Sequence, residues 1–199
     1  TSFLNEDYYA LFPLYNFYFT RDAAVTIGNH ALICKMANKV RMRESLIMQA
    51  IYKGSGEFAC GIIDAYDHSP LNPNLFMEGG DILIAREDVL LIGNGIRTSS
   101  QGIDFLASRL SAIAPQGRRH IIVQQLPHTP ESFIHLDMVF TMLDRNKCMV
   151  FEPLILGDNQ YQTIHIIIDN GKIVKISSVA NMLTALKGLG TDLEPVVCG

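Results

Sequence analysis

Three short polar clusters, each set against an apolar stretch, are where this sequence could do chemistry. The first is Asn16-x-x-Phe19-Thr20-Arg21-Asp22, the second Glu78-Gly79-Gly80-Asp81, and the third His135-Leu136-Asp137. Carboxylates together with a Glu–His pair suit a planar, permanently charged guanidinium, which a carboxylate grips through paired N–H···O bonds. Attack on the central carbon of such a group takes a strong nucleophile, usually a thiolate. A histidine must then protonate the leaving amine and later activate water. A glutamate beside that histidine would orient it and raise its pKa. Arg41, in Arg41-Met42-Arg43-Glu44, and Arg97, at the end of Gly93-Asn94-Gly95-Ile96-Arg97, could hold a carboxylate at the far end of the ligand.

Each piece also has a plainer explanation. Asp22 beside Arg21 could be a local ion pair. Gly79-Gly80 could be a turn that Asp81 merely caps. A lone His135 is more often a packed or surface histidine than a catalyst. Arg43 reads as surface polarity, and for Arg41 and Arg97 solubility and carboxylate binding stand about even. What favours chemistry is that all three clusters stand at one phase of a repeat.

That repeat is strand-strand-helix-strand. Residues 24–34 read as two strands around Gly28-Asn29-His30, 39–53 as a helix with Val40, Leu46, Ile47, Ala50 and Ile51 on one face, and 58–63 as a strand. The order returns as 81–86 and 89–93, a helix from Ser99 or Ser100 to about Ala112, and 120–124. It returns again as 138–142 and 149–151, a helix over about 179–187, and 195–197, with His135 and Asp137 sharing one face of a strand. An extra hairpin, 163–169 and 172–177, is inserted in the last unit, with Asn170-Gly171 as a type I′ turn. Units recurring at roughly 57 residues that cannot close a core alone stack in a solenoid or around an axis. In a radial arrangement, matching positions converge on one cavity.

Composition narrows the function classes. The 199 residues are 48% hydrophobic and only 18% charged, with net charge −4, which excludes a disordered chain. No basic run exists, so nucleic acid and anionic membrane are poor partners. No apolar stretch approaches the roughly 18 residues of a membrane span. The first residues carry no signal-peptide pattern. Cys34, Cys60, Cys148 and Cys198 are widely spaced and read as reduced thiols of a cytoplasmic protein.

Five motifs in register carry a family resemblance. Asn-x-x-Phe-Thr-Arg-Asp at 16–22, Arg-x-Arg-Glu at 41–44, Glu-Gly-Gly-Asp at 78–81, Gly-x-x-x-Arg-Thr at 93–98 and His-Leu-Asp-x-Val-Phe-Thr-Met at 135–142 resemble the arginine deiminases. The resemblance implies an α/β fold of repeated β-β-α-β units, the five-bladed α/β propeller called the pentein, with about three blades here. These form one catalytic-type domain over 1–199, with units at about 16–63, 78–125 and 135–199. It implies that Asp22 and Asp137 hold the guanidinium and that Glu78 and His135 are the acid/base pair. Asn16, Arg41 and Arg97 would hold the amino-acid carboxylate, with Phe19 lining the pocket and Asp81 secondary. The complete enzyme would hydrolyse L-arginine to L-citrulline and ammonia through a cysteine thiouronium, acting on the C–N bond of a linear amidine in arginine catabolism, with no metal or organic cofactor. An amidinotransferase and a non-catalytic guanidine-binding propeller are the rival functions.

Two departures from the family pattern are expected to matter. Residues beyond about 144 look like a branch-specific elaboration. The nucleophilic cysteine that the family places late, after a Gly-rich loop, has no counterpart, and Cys198 at a closing strand is not expected to replace it. With about three of five units and no initiator Met, the chain is expected to be a piece of a longer protein, inactive alone. Open sheet edges and apolar faces make homo-oligomeric association expected.

Overall fold

In a computed structural model the chain is described over residues 13–68, 72–113, 116–157 and 161–198. Three sheets share one construction. In the first, β1 (Ala24–Ile27) turns at Gly28, with φ of 56°, into antiparallel β2 (His30–Ile33). A helix, α2 (Met42–Gly54), crosses over to β3 (Gly61–Asp64), which pairs parallel to β2. Parallel neighbours need such a crossover, because no tight turn can bring the chain back to the same end. The second unit repeats this as β4 (Ile82–Arg86), β5 (Val89–Asn94), α3 (Ser100–Ile113) and β6 (Arg118–Gln125), with β5 parallel to β6. Ser99 caps α3 by accepting the Gly102 N–H on its hydroxyl at 3.1 Å. The third is β7 (Phe140–Asp144), β8 (Lys147–Val150), the short α4 (Glu152–Ile155), α5 (Met182–Gly188) and β11 (Glu194–Val197), with β11 parallel to β8.

The inserted hairpin, β9 (Thr163–Asp169) and β10 (Lys172–Val179), turns at Asn170 and Gly171, whose φ values of 48° and 74° are the left-handed pair a type I′ turn needs. It lies in the last unit's sequence but extends the middle sheet, whose order is β10-β9-β6-β5-β4. That sheet's central strands β5 and β6 are buried on both faces. Ile92 and Ile121 join Leu32, Ile63 and Leu106 in one core, while their neighbours Leu91 and Ile122 join Phe140, Val150 and Leu186 in the other. The period-2 alternation of a strand divides adjacent aliphatics between the two cores, which is why β5 and β6 read as unbroken apolar runs.

Local boundaries differ from the sequence reading in three informative places. The final strand of the first unit begins at Gly61, leaving Phe58 outside it. Residues 136–138 form a 3₁₀ turn ahead of β7, so His135 and Asp137 sit on a turn and not on one face of a strand. The helix at 39–54 turns its polar side inward. Arg41, Glu44 and Ser45 are buried, while Val40, Leu46 and Ile51 are 49%, 42% and 37% exposed. The apolar stripe chosen from periodicity is the outer face, because the inner one must meet charge described below.

Gly102 provides a test of packing. Alanine normally favours a helix over glycine by about 1 kcal/mol. In α3, however, a Cβ at residue 102 would collide with the carbonyl oxygen of Phe76 and stand 3.3 Å from the Met77 side chain. Gly102→Ala should therefore destabilise, by about 1–3 kcal/mol. An unfolding midpoint in urea at or above that of the native chain would contradict this packing.

Candidate active site

The three polar clusters stand immediately ahead of β1, β4 and β7. Asp22 lies on the short helix α1 (Thr20–Ala23), Glu78 begins the 3₁₀ turn 79–81, and His135 begins the 3₁₀ turn 136–138. The chain bends so sharply there because each cluster must end in a strand start while its side chains point aside to the common centre. Glycine makes the approach feasible. A Cβ at Gly79 would strike the Arg21 carbonyl oxygen, and one at Gly80 would lie 2.7 Å from His135 Nδ1 and 2.9 Å from Asp22 Oδ1. The doublet is therefore more than a turn.

The centre is a set of buried charges. Arg41 donates from Nη1 to Asp22 Oδ2 at 2.7 Å, from Nε and Nη2 to Glu44 Oε2 at 2.9 and 2.7 Å, and from Nη2 to the Asn16 carbonyl at 3.3 Å. Its Nη1 also lies 3.6 Å from Glu78 Oε2. Glu44 accepts the Asn16 N–H at 3.2 Å on its other oxygen. Arg21 does not pair with Asp22; it donates to the Ile82 carbonyl at 2.8 Å and ties α1 to β4. His135 Nε2 meets Glu78 Oε2 at 3.0 Å, and Arg97 Nη1 stands 3.5 Å from Glu78 Oε1.

These neighbours set the proton affinities. Burial alone would raise the Glu78 carboxyl, but the His135 hydrogen bond, the Arg97 charge and the Ala37 N–H outweigh it and hold Glu78 below the usual carboxylate range. Burial alone would lower His135, but the Glu78 hydrogen bond and the charges of Asp81 and Asp22 outweigh it and raise the imidazole. Burial pushes Asp137 up, with the Asp22 charge adding to it and His135 and Arg21 opposing it. Asp137 makes no ion pair among the described residues.

Asn16, Phe19, Asp22, Arg41, Arg97, His135 and Asp137 line one cavity of about 310 Å³, joined by Ile134 and Met138. Glu78 stands behind His135, fully buried. Every candidate residue from the sequence is thus drawn to one place. Periodicity and motif reading gave no role to Glu44, although its i+3 spacing from Arg41 on a helix was a usable signal. Met138 and Ile134 carried no chemical signal at all.

Asp22, Glu78 and His135 offer ligand atoms within 4.8 Å of one another, close enough to consider a metal. A divalent cation there would have to displace Arg41 from Asp22 and share Glu78 with Arg97, so this donor set is already served by guanidinium groups. None of the four cysteines is among the residues lining the cavity. Burial, then Glu78, Asp22 and Asp81, drives the Cys34 thiol well above its ordinary value, which suppresses a thiolate. Cys198 directly follows β11 and donates its Sγ–H to the Val150 carbonyl at 3.3 Å.

A sequence model of one family, described as Arginine deiminase, matches residues 2–192. The chain belongs to the arginine deiminase family. The match runs well past residue 144, so the family model takes in that stretch as well. An arginine deiminase of Bacillus cereus is 34% identical over 204 residues, covering 98% of this chain and 48% of that protein. One of Listeria innocua is 39% identical over 142 residues, covering 71% of this chain and 34% of that protein. The chain therefore spans about half or less of the length of these curated relatives. Among solved structures, the N-terminal domain of ArgZ, a cyanobacterial arginine dihydrolase, bound to substrate, has a TM-score of 0.54 at 24% identity, over 68% of this chain and 44% of that one. DDAH from Pseudomonas aeruginosa in complex with citrulline has a TM-score of 0.51 at 19% identity, over 66% and 45%. These likenesses establish the shared α/β fold. Among the described residues no helix is long and apolar enough to cross a membrane.

The Glu78–His135 pair should be visible in stability. The folded pKa of Glu78 is depressed, so its contribution is present above about 4.3 and fades as pH falls below that. The folded pKa of His135 is raised, so its contribution is full below about 6.5 and is lost as pH rises through the raised value. The stability gap between the native chain and His135→Gln should accordingly be larger at about pH 5.5 than at about pH 9. Urea unfolding at both values checks this, and a gap that fails to shrink would break the pairing.

Proposed function

We propose that the protein hydrolyses the guanidinium of L-arginine, giving L-citrulline and ammonia. The observation that carries this is Asp137, a carboxyl lining the cavity near Asp22 that makes no ion pair among the described residues. A planar cation gripped by both Asp22 and Asp137 would be neutralised on two edges, as a guanidinium requires.

Binding would proceed by exchange. Arg41 has its donors committed to Asp22, Glu44 and Asn16. An arriving guanidinium that takes over Asp22 would free one arm of Arg41 for the substrate carboxylate. Arg97, with one long contact to Glu78, is the readier cation for that carboxylate, and Asn16 adds polarity beside it. Phe19, at the same cavity and packed at a tilt against Tyr18 with ring centroids 4.1 Å apart, would cover the alkyl chain.

For the chemistry, a thiolate adds to the guanidinium carbon and forms a C–S bond. His135 gives its proton to the departing nitrogen, the C–N bond breaks, and ammonia leaves. His135 then takes a proton from water, whose oxygen bonds to the same carbon. The C–S bond breaks, the thiolate is restored, and citrulline is released. Glu78 keeps the imidazole oriented and basic enough for both transfers. No cysteine of this chain lines the cavity, so the thiol would come from a part of the longer protein outside this sequence.

The test separates binding from turnover. By calorimetry the 199-residue chain should bind arginine, and Asp137→Asn should weaken it by about 3 kcal/mol or more, over a hundredfold. Incubated with arginine, this chain should release no citrulline, while a longer protein bearing a further cysteine should. Near-native affinity in Asp137→Asn would refute the grip. Citrulline from this chain, or an adduct on Cys198 by mass spectrometry, would refute the source of the thiol. An amidinated amine among the products of the longer protein would assign a transferase.

A further inference from the structure

Asp81 is fully buried and does not line the cavity, yet it reaches the catalytic turn. Its Oδ1 accepts the backbone N–H of Leu136 at 2.9 Å. Leu136 is the residue between His135 and Asp137, so one hydrogen bond holds the peptide from which both side chains spring. The place the carboxyl occupies is kept clear on purpose of packing. A Cβ on Gly93 of β5 would run into Asp81 Oδ1 and lie 2.9 Å from Leu126 Cδ1. The same four-residue motif also touches His135 itself in two places, through Glu78 Oε2 at Nε2 and through the close approach of Gly80 to the ring. The motif is itself tied down, since Thr98 Oγ1 accepts the Glu78 N–H at 3.2 Å.

We infer that Asp81 is a positioning residue: by holding the Leu136 amide it sets where His135 meets Glu78 and where Asp137 faces the cavity. What the tie requires of residue 81 is an acceptor oxygen, not a full charge. Asp81 Oδ2 is buried without a well-formed hydrogen bond, although the Thr98 hydroxyl favours the charged form. Burial pushes the carboxyl up to about 7, so near neutral pH much of it is the uncharged acid. Asparagine presents the same carbonyl oxygen in the same shape, whereas alanine presents none. The catalytic consequence rests on the guanidine-hydrolase reading; the test below does not, because it uses no substrate.

The readout is the His135 imidazole, followed by NMR in the 199-residue chain through its Cε1–H titration and its Nε2–H resonance. The charged groups around it are Glu78, Asp22, Asp81 and Asp137, with Arg41 and Arg97 against Glu78. The native chain should titrate above free imidazole and show a protected Nε2–H bonded to Glu78. Asp81→Asn removes a charge but keeps the tie, so the midpoint should fall part way and the Nε2–H signal should persist. Asp81→Ala removes both, so the midpoint should fall further and the signal should vanish. Gly93→Ala keeps the carboxyl but displaces it, and should also lose the signal. This variant serves if Asp81→Ala does not fold. A folded Asp81→Ala or Gly93→Ala with a native midpoint and Nε2–H signal would overturn the inference. Loss of the signal in Asp81→Asn to the same degree as in Asp81→Ala would also overturn it, since charge would then be the cause.

Discussion

A guanidinium buried with carboxylates is the feature on which the rest of this structure depends. Arg41 is 5% exposed, Asp22 6%, and Glu44 and Glu78 are fully enclosed. Taking such charges out of water costs several kcal/mol each, and removing one partner strands the others at about 3–5 kcal/mol. The cost is met only if every donor finds an acceptor, as the Arg41 donors do with Asp22, Glu44 and the Asn16 carbonyl. That demand overrides ordinary amphipathic packing. It is why the helical stretch 39–54 turns Arg41 and Glu44 inward and leaves Val40, Leu46 and Ile51 outside.

The repeat supplies the geometry that makes the cluster possible. Each unit opens with a sharp turn, runs out along an antiparallel pair and returns by a helix to a parallel strand. Strands β5 and β6 of the middle sheet lie between the two cores. Strand β4, paired with β5, follows directly from Glu78-Gly79-Gly80-Asp81, so the motif is fixed to that sheet. From there it holds its neighbours: Gly79 against the Arg21 carbonyl, Gly80 against His135, Asp81 on the Leu136 amide. Residues distant in sequence are thereby held at hydrogen-bonding distances without relying on their own loops for rigidity.

The electrostatic balance of the cavity explains the division of labour. Glu78 is kept ionised by His135 and Arg97, and His135 is kept basic by the carboxylates around it. Asp137 is raised chiefly by burial, with Asp22 adding to it and His135 opposing it, so an incoming cation would favour its charged form. Burial first, and the same negative surroundings after it, oppose a thiolate at Cys34.

The sequence alone determined the repeating β-β-α-β order, the type I′ turn at Asn170-Gly171, and the identity of the residues that meet. These are local or motif-level properties: alternation, turn chemistry and charged groups recurring at one phase. The family was legible for the same reason, since five spaced motifs survive where overall identity is modest. Only the tertiary structure decided which partner each charge takes. Asp22 beside Arg21 looked like a local pair, yet Asp22 pairs with Arg41 and Arg21 with the Ile82 carbonyl. The buried face of α2, the turn at Leu136–Met138 and the joining of β9 and β10 to the middle sheet were likewise invisible to periodicity. Hydrophobic pattern reports what a segment can bury. Which face it does bury is settled by the charges and strand edges that segments remote in sequence bring to it.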